Sequence, residues 1–500
     1  MLIKDSENFR VFLIIDSKSV LVEYDVIYFL TVQKGEINML TKKELEKYLN
    51  ICMRSEADFA EIYEETESSE TISSLNGKME DVNNVLIQGI GVRLYKGVRS
   101  VYGYSNETDE AAVLPLLEEL VDAFGKKESG PEVELHEITY ENRNPVKIDF
   151  EKVSLEEKHQ LLERATKAAF DYDPKIVKVQ SRFLNVNQKV QIANSDGKLI
   201  SDTRVRTRIS VSAFSQEGTN FQSGSDNSGA GMGPEYFEIV TPEQIGKEAA
   251  RIALVNLVAK DCPSGKMPVV IDNAFGGVIF HEACGHSLEA TSVSKNMSVF
   301  SGKLGEQIAA TCVSAVDDGT IPNAWGSQNI DDEGNFQKRR VLIENGILKS
   351  YMIDTLNGRR MGMESTSSSR RQSYKYEPTS RMSNTFILPG DAEFEELFEG
   401  IEKGLYAKRM GGGSVNPQTG EFNFAVLEGY MIENGKITYP VKGAALIGNG
   451  KDILWNIEKV GKDLARGQGM CGSLSGSIPT DVGQPAIRVS SITVGGTAND

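Results

Sequence analysis

Phe280-His281-Glu282-Ala283-Cys284-Gly285-His286-Ser287-Leu288-Glu289 holds two of the 4 histidines in a chain of 500 residues, five positions apart, with a glutamate directly after the first. Two neutral imidazoles hold a borderline-soft cation such as zinc, and a neighbouring carboxylate can take a proton from water. These are parts of a metal hydrolase. The common zincin pattern spaces its histidines at i and i+4 on one helix face. At i and i+5 an ideal α-helix turns them roughly 140° apart. A π-bulge, or a kink at Gly285, brings the imidazoles back together, and π-bulges concentrate at functional sites. The alternative is a buried helix whose two histidines are satisfied by hydrogen bonds. Two histidines are also only two ligands, so a third must come from elsewhere.

Around that stretch the composition is ordinary for a soluble protein, 40% hydrophobic and 25% charged. The length suits roughly two to four domains. The 54 basic and 71 acidic residues leave a net charge of −17, which disfavours nucleic acid and anionic membranes as partners. The 5 cysteines are scattered and form no C-x-x-C pair; a reducing, cytoplasmic setting is expected. Residues 11–32 are apolar but interrupted by Asp16, Lys18, Glu23 and Asp25, too broken for a signal peptide or a membrane span.

Residues 1–38 read either as an N-terminal extension ahead of a start at Met39 or as an extra strand pair. From Met39 the pattern is α+β. Helices are expected over Lys42–Arg54, Asp109–Phe124 and from Ser154 to about Tyr172, the first and third opened by the capping pairs Thr41/Glu44 and Ser154/Glu157. Strands are expected over 57–105 and 177–212, with tight turns at Asn76-Gly77 and Asp196-Gly197. Residues 216–234, rich in Gly, Ser and Asn, read as a linker or loop, with a substrate-facing loop as the alternative. Thr241-Pro242-Glu243-Gln244 opens a helix to Lys260. A buried strand, Met267–Ile271, then precedes a metal helix over Gly276–Ala290. Beyond 300 the chain reads as β-rich, with hairpins at Asn345-Gly346 and Asn434-Gly435, helices at Ala392–Gly404 and Ile453–Leu464, and a last strand at Ala486–Gly495. Two domains are expected, an antiparallel α+β unit over 39–235 and a β-rich unit over 236–500.

Several residues compete for the third ligand. Glu289 shares the face of His286 on a helix and could ligate it or orient it. Cys284 fits a small core residue. Asp317 and Asp318 read as solvated turn residues. Cys471, between glycines in Gly467-Gln468-Gly469-Met470-Cys471-Gly472, could approach a metal closely. That hexapeptide matches G-x-G-x-x-G but lacks the strand–turn–helix context of a dinucleotide site. A basic, serine-rich cluster, Arg359, Arg360, Arg370, Arg371, Lys375 and Arg381, offers forks for a peptide carboxylate, against a solvated-loop alternative.

HEACGHSLEA at 281–290, SGKLGEQIA at 301–309, RRQSY at 370–374, RMSNTFILPG at 381–390, PVKGAALIGNG at 440–450 and GMCGSLSGSIPTDVGQP at 469–485 together resemble the TldD branch of the TldD/PmbA (TldE) metallopeptidases. The resemblance implies two domains, the second carrying zinc on His281, His286 and Cys471, with Glu282 as general base. It implies cleavage of unfolded or short peptides, and a heterodimer with a TldE/PmbA-type partner. Glu289 is expected behind the ligands, and Arg370, Arg371 and Arg381 as substrate contacts. Residues 1–38 lie outside the family layout, and Ser367-Ser368-Ser369 stands where a glycine-containing stretch is expected. The alternative from another class is a non-catalytic assembly or binding subunit with a structural, four-ligand zinc.

Overall fold

Short polar side chains start the long helices. In the computed structural model, which describes residues 39–416 and 419–498, Thr41, Asp109, Ser154 and Thr241 cap α1 (Lys42–Cys52), α2 (Glu110–Phe124), α3 (Leu155–Phe170) and α4 (Pro242–Val258). Each cap side chain accepts a backbone N–H that the helix leaves free, worth about 1 kcal/mol. The expectation for residues 1–38 lies outside the described residues.

Seven strands form the first sheet: β1 (Phe59–Leu75), β2 (Lys78–Lys96), β3 (Arg99–Ser105), β4 (His136–Glu137), β5 (Ile176–Asn194), β6 (Lys198–Glu217) and β7 (Asn220–Ala230). Their order is β3-β2-β1-β5-β6-β4, with β7 also on β6, and only the short β4 runs parallel. Asn76 and Gly77 both take positive φ, 52° and 83°, as a type I′ hairpin demands. One face of the sheet is apolar. Leu45, Leu49, Leu117 and Leu120 of α1 and α2 pack with Ile62 and Val92, while Leu162, Ala165, Ile245 and Ala249 of α3 and α4 pack with Val179 and Ile209. Each buried Leu or Ile contributes about 1.5–3 kcal/mol.

The linker expected over 216–234 is instead largely β7. Its small residues serve close packing: a Cβ on Gly224 would stand 2.3 Å from the Ala253 nitrogen of α4.

The later strands begin with β8 (Lys260–Asp261), β9 (Gly265–Ile271), β10 (Ala315–Asp318), β11 (Arg339–Glu344), β12 (Ile347–Leu348), β13 (Ser369–Arg370), β14 (Thr379–Ser380) and β15 (Asn384–Ile387). They continue with β16 (Lys403–Val415), β17 (Glu421–Glu433), β18 (Lys436–Lys442), β19 (Ala445–Asn449), β20 (Ile457–Val460), β21 (Ala465–Ser473), β22 (Gly476–Gln484) and β23 (Ile487–Gly495). One sheet runs β12-β11-β10-β15-β22-β21. Another follows β16-β9-β23-β19-β17 and closes on itself, because β17 also pairs with β16. The protein is α+β, as expected.

Two expected helices are corrected. Over 392–404 only a 3-10 turn forms, Glu395–Leu397, and β16 follows. Leu397, Phe398 and Ile401 satisfy their helical spacing in one small apolar cluster, and Gly400 at φ 72° ends the turn. Over 453–464 the helix stops at Asn456, because Ile457 and Val460 pair with β23 and are buried. Asp317 is not a solvated turn residue either. It is fully buried on β10 and accepts hydrogen bonds from Arg340, Ser383 and Thr385. Asp318 beside it is also buried.

A polar bridge joins α4 to the closed sheet. Glu428 on β17 is fully buried and meets Arg251 at 2.6 Å, Tyr430 Oη at 2.6 Å and Lys408 at 3.2 Å. Burial alone would raise its pKa, but hydrogen bonds from Arg251 and Tyr430 and the charges of Arg251 and Lys408 outweigh burial and hold it at about 2. A depressed carboxyl stabilises the fold above its unfolded value, near 4.3, and that share is lost as pH falls through about 2. Glu428→Gln is therefore expected to cost about 2–3 kcal/mol at neutral pH. In thermal melts the gap to the wild type should narrow as pH is lowered through that window.

Candidate metal centre

The segment after β9 is not the regular helix expected over Gly276–Ala290. A 3-10 turn (Ala274–Gly277) and a short α-helical stretch (Val278–Phe280) lead into a π-helical turn over His281–Gly285, then a 3-10 turn over His286–Leu288. The His286 N–H donates to the His281 carbonyl. That i+5 bond makes five residues one turn and puts both imidazoles on one side, ring centroids 5.2 Å apart. Glycine contacts fix the segment: a Cβ on Gly277 would stand 2.4 Å from the Gly483 backbone, and one on Gly450 would stand 2.0 Å from the Ala283 carbonyl oxygen.

Cys471 arrives on β21, in a hairpin with β22 that pairs it with Ile478. Its Sγ lies 3.2 Å from His281 Nε2 and 3.2 Å from His286 Nε2, and ligand atoms of the three buried residues all fall within 4.8 Å of one another. Two imidazole nitrogens and one thiolate are a donor set that zinc accepts. Bonds of ~2.0–2.3 Å to one tetrahedral centre would hold such atoms about 3.5 Å apart, so only small relaxation is needed. Burial would raise the Cys471 thiol, yet the two histidines beside it hold it well below its usual range. His286 goes the other way: burial would lower it, but Glu289 and Cys471 hold it well above.

Glu289 Oε2 stands 3.1 Å from His286 Nδ1, on the far side of the ring from the cysteine. This is the position that orients a ligand rather than ligates. His281 Nδ1 has no such partner among the described residues. Glu282 Oε2 is 3.6 Å from His286 Nε2, and its side chain keeps 24% exposure, unlike the buried triad. Cys284 points elsewhere, toward the Gly450 carbonyl at 3.7 Å.

The basic cluster divides: Arg370, Arg371 and Arg381 are turned inward, whereas Arg359, Arg360 and Lys375 are exposed, as the solvated-loop alternative held. Arg381 donates to the Cys471 carbonyl at 2.5 Å and to Ser475 Oγ and the Gly476 carbonyl at 2.9 Å each, with Nε 3.9 Å from Glu289. Arg370 donates to the carbonyls of Met382 and Pro479. Arg371 pairs with Glu61 at 2.9 Å and stacks over the Tyr63 ring. Arg359 instead pairs with Asp58 near the surface, and Lys375 is exposed.

Sequence reasoning missed the buried acidic run Asp331-Asp332-Glu333. It receives Arg204 and Arg93 from the polar face of the first sheet, both at 2.7 Å. Burial beside Glu333 pushes Asp331 up to about 7. The run of consecutive acids was visible; its partners, more than a hundred residues away, were not. Ser367, where a glycine was expected, has φ 60°, a left-handed conformation costly for a residue with a Cβ.

PmbA/TldA metallopeptidase models match as domain 1 over residues 60–124, central domain over 148–257 and C-terminal domain over 264–496. A Metalloprotease TldD homolog of Haemophilus influenzae is 36% identical over 468 residues, 92% of this chain and 97% of that protein. A metalloprotease of Methanocaldococcus jannaschii is 34% identical over 462 residues, 90% of this chain and 99% of its own. The crystal structure of TldE from Thermococcus kodakarensis superposes with a TM-score of 0.71 at 17% identity, covering 91% of this chain and 98% of that one, a likeness of fold alone. Matches of this extent place the protein in a class of metallopeptidases. Within that class, the chain belongs to the TldD/PmbA family.

Two outcomes follow from the geometry. Arg381→Lys keeps the charge but not the fork, and should weaken metal binding about 10- to 100-fold in a chelator competition; unchanged affinity would separate Arg381 from the centre. Ser367→Gly relieves the left-handed strain at some cost in unfolded-chain entropy, and should raise stability by about 0.5–1 kcal/mol in urea titrations.

Proposed function

We propose that the protein is a zinc-dependent peptidase hydrolysing unfolded or short peptides. His281, His286 and Cys471 would hold the ion, leaving a coordination position open as catalysis requires. Zinc, when bound, supplies Lewis acidity toward a carbonyl and toward water. Glu282 is the general base: it takes the proton of the attacking water and returns it to the leaving amine. Glu289 fixes the His286 ring and its tautomer through Nδ1, and Arg381 anchors the Cys471 strand through the Cys471 carbonyl, its Nε 3.9 Å from Glu289. The observation that carries this reading is the contrast between three buried, converging donors and one partly exposed carboxylate, Glu282, 3.6 Å from His286 Nε2.

The reading extends to residues 39–235 and 236–500 as the two domains, a TldE/PmbA-type partner subunit and a cytoplasmic setting. The partner rests on the family resemblance. The setting is supported by five cysteines that form no disulfide. Among the described residues, no helix is long and apolar enough to cross a membrane.

Elemental analysis should find about one zinc per chain, lost or weakened in His286→Ala and Cys471→Ala. Glu282→Gln should keep that zinc and lower kcat by about 10²- to 10⁴-fold. Undiminished peptide turnover in this variant would overturn the mechanism.

A further inference from the structure

Seven arginines are buried among the described residues: Arg93, Arg204, Arg206, Arg340, Arg370, Arg371 and Arg381. Five have a carboxylate oxygen within 4 Å. Arg206 and Arg370, 5% and 1% exposed, form no such ion pair. Arg206 Nε donates to the Trp325 carbonyl at 3.0 Å, and no hydrogen bond engages its two terminal nitrogens. Arg370 Nε is buried with no partner at all, as is Gln328 Oε1.

These side chains border one cavity of about 210 Å³ on the polar face of β1, β5 and β6, lined also by Glu67, Gln188 and Met470. Two buried cations sharing a space with no carboxylate at ion-pair distance are costly. Burial and then the Arg206 charge pull Arg370 down to about 9, and burial and then the Arg204 charge pull Arg206 down to about 10. Glu67 attracts Arg206 from beyond ion-pair distance and is itself pushed up by burial.

Neighbours of Cys471 line the cavity, although none of the three candidate donors does. Met470 precedes Cys471, and Ile478, also lining the cavity, pairs with Cys471 across the hairpin. It is smaller than the roughly 300–1,000 Å³ of small-molecule pockets, a size for one residue of a peptide. We infer that the Arg206–Arg370 cavity is a subsite for a substrate carboxylate, either the α-carboxylate of a peptide end or an acidic side chain near the scissile bond. A carboxylate there supplies the missing anion and accepts from guanidinium forks. Gln328, whose amide oxygen and nitrogen can exchange places, can add a donor. This rests on the peptidase reading and adds the substrate feature the site selects.

The test uses the zinc-loaded full-length protein and two peptide pairs. One pair differs only in a free or amidated C-terminus, the other, amidated, in an internal glutamate or glutamine. Wild type should favour the charged member of one pair by about 10- to 100-fold in kcat/KM, and the pair concerned identifies the source of the carboxylate. Arg206→Gln should bring that ratio near one, and Arg206→Lys should keep part of it. Glu67→Gln, which removes the competing carboxylate, should raise it severalfold and stands in for Arg206→Gln if that variant does not fold. Equal use of both members by wild type, or a preference unmoved in folded Arg206→Gln, overturns the inference. If no peptide is cleaved, the peptidase reading falls. Calorimetric binding of the same pairs to Glu282→Gln, with and without Arg206→Gln, then decides the subsite by itself.

Discussion

One buried guanidinium lies between the two halves of the candidate metal centre. Arg381 spends its donors on the carbonyl of Cys471 and on the turn of the same hairpin, while its Nε faces Glu289, which in turn holds His286. The cysteine strand and the histidine turn lie far apart in the chain and share no backbone pairing. Close backbone packing of Gly277 against Gly483 of the same hairpin sets how they approach, and the planar Arg381 fork adds a polar anchor on the cysteine side that an ammonium could not match. Fully buried, the same group would be costly without these partners. The centre and its support thus stand or fall together.

A second constraint comes from the first sheet. One face meets four helices through apolar side chains, and the other is lined by Glu61, Glu65, Arg204 and Arg206, all buried. A charged face can be buried only against complementary charge. The Asp331-Asp332-Glu333 run and Arg371 supply it, fixing how the sheet lies on the loops around the cysteine hairpin. Where that pairing is complete the face is structural. Where it is incomplete, at Arg206 and Arg370, a cavity opens beside Cys471.

The histidine turn shows how local geometry answers an unusual spacing. The i, i+5 interval in the sequence called for a π turn or a kink, and a π turn over His281–Gly285 is what forms. A π turn is a poor helix by itself. Here backbone contacts at Gly277 and Gly450 confine it, and the apolar core beneath takes Phe280, Ala283, Cys284 and Leu288.

The sequence by itself determined what short-range chemistry controls. Capping pairs placed three helices, Asn-Gly dipeptides placed hairpins, and the rare histidines marked the segment of the candidate metal site. It misjudged segments whose pattern is settled by distant neighbours. The glycines of β7 signal a close helix rather than a linker, and Ile457 and Val460 prefer a place beside β23 to another helical turn. The aspartates at 317 and 318 read as surface groups, and the arginines at 370, 371 and 381 as substrate forks or a solvated loop, because polarity along the chain does not reveal which charges will meet. Only the tertiary structure decided that, since burying a charge is tolerated solely where a partner from another part of the chain is already in place.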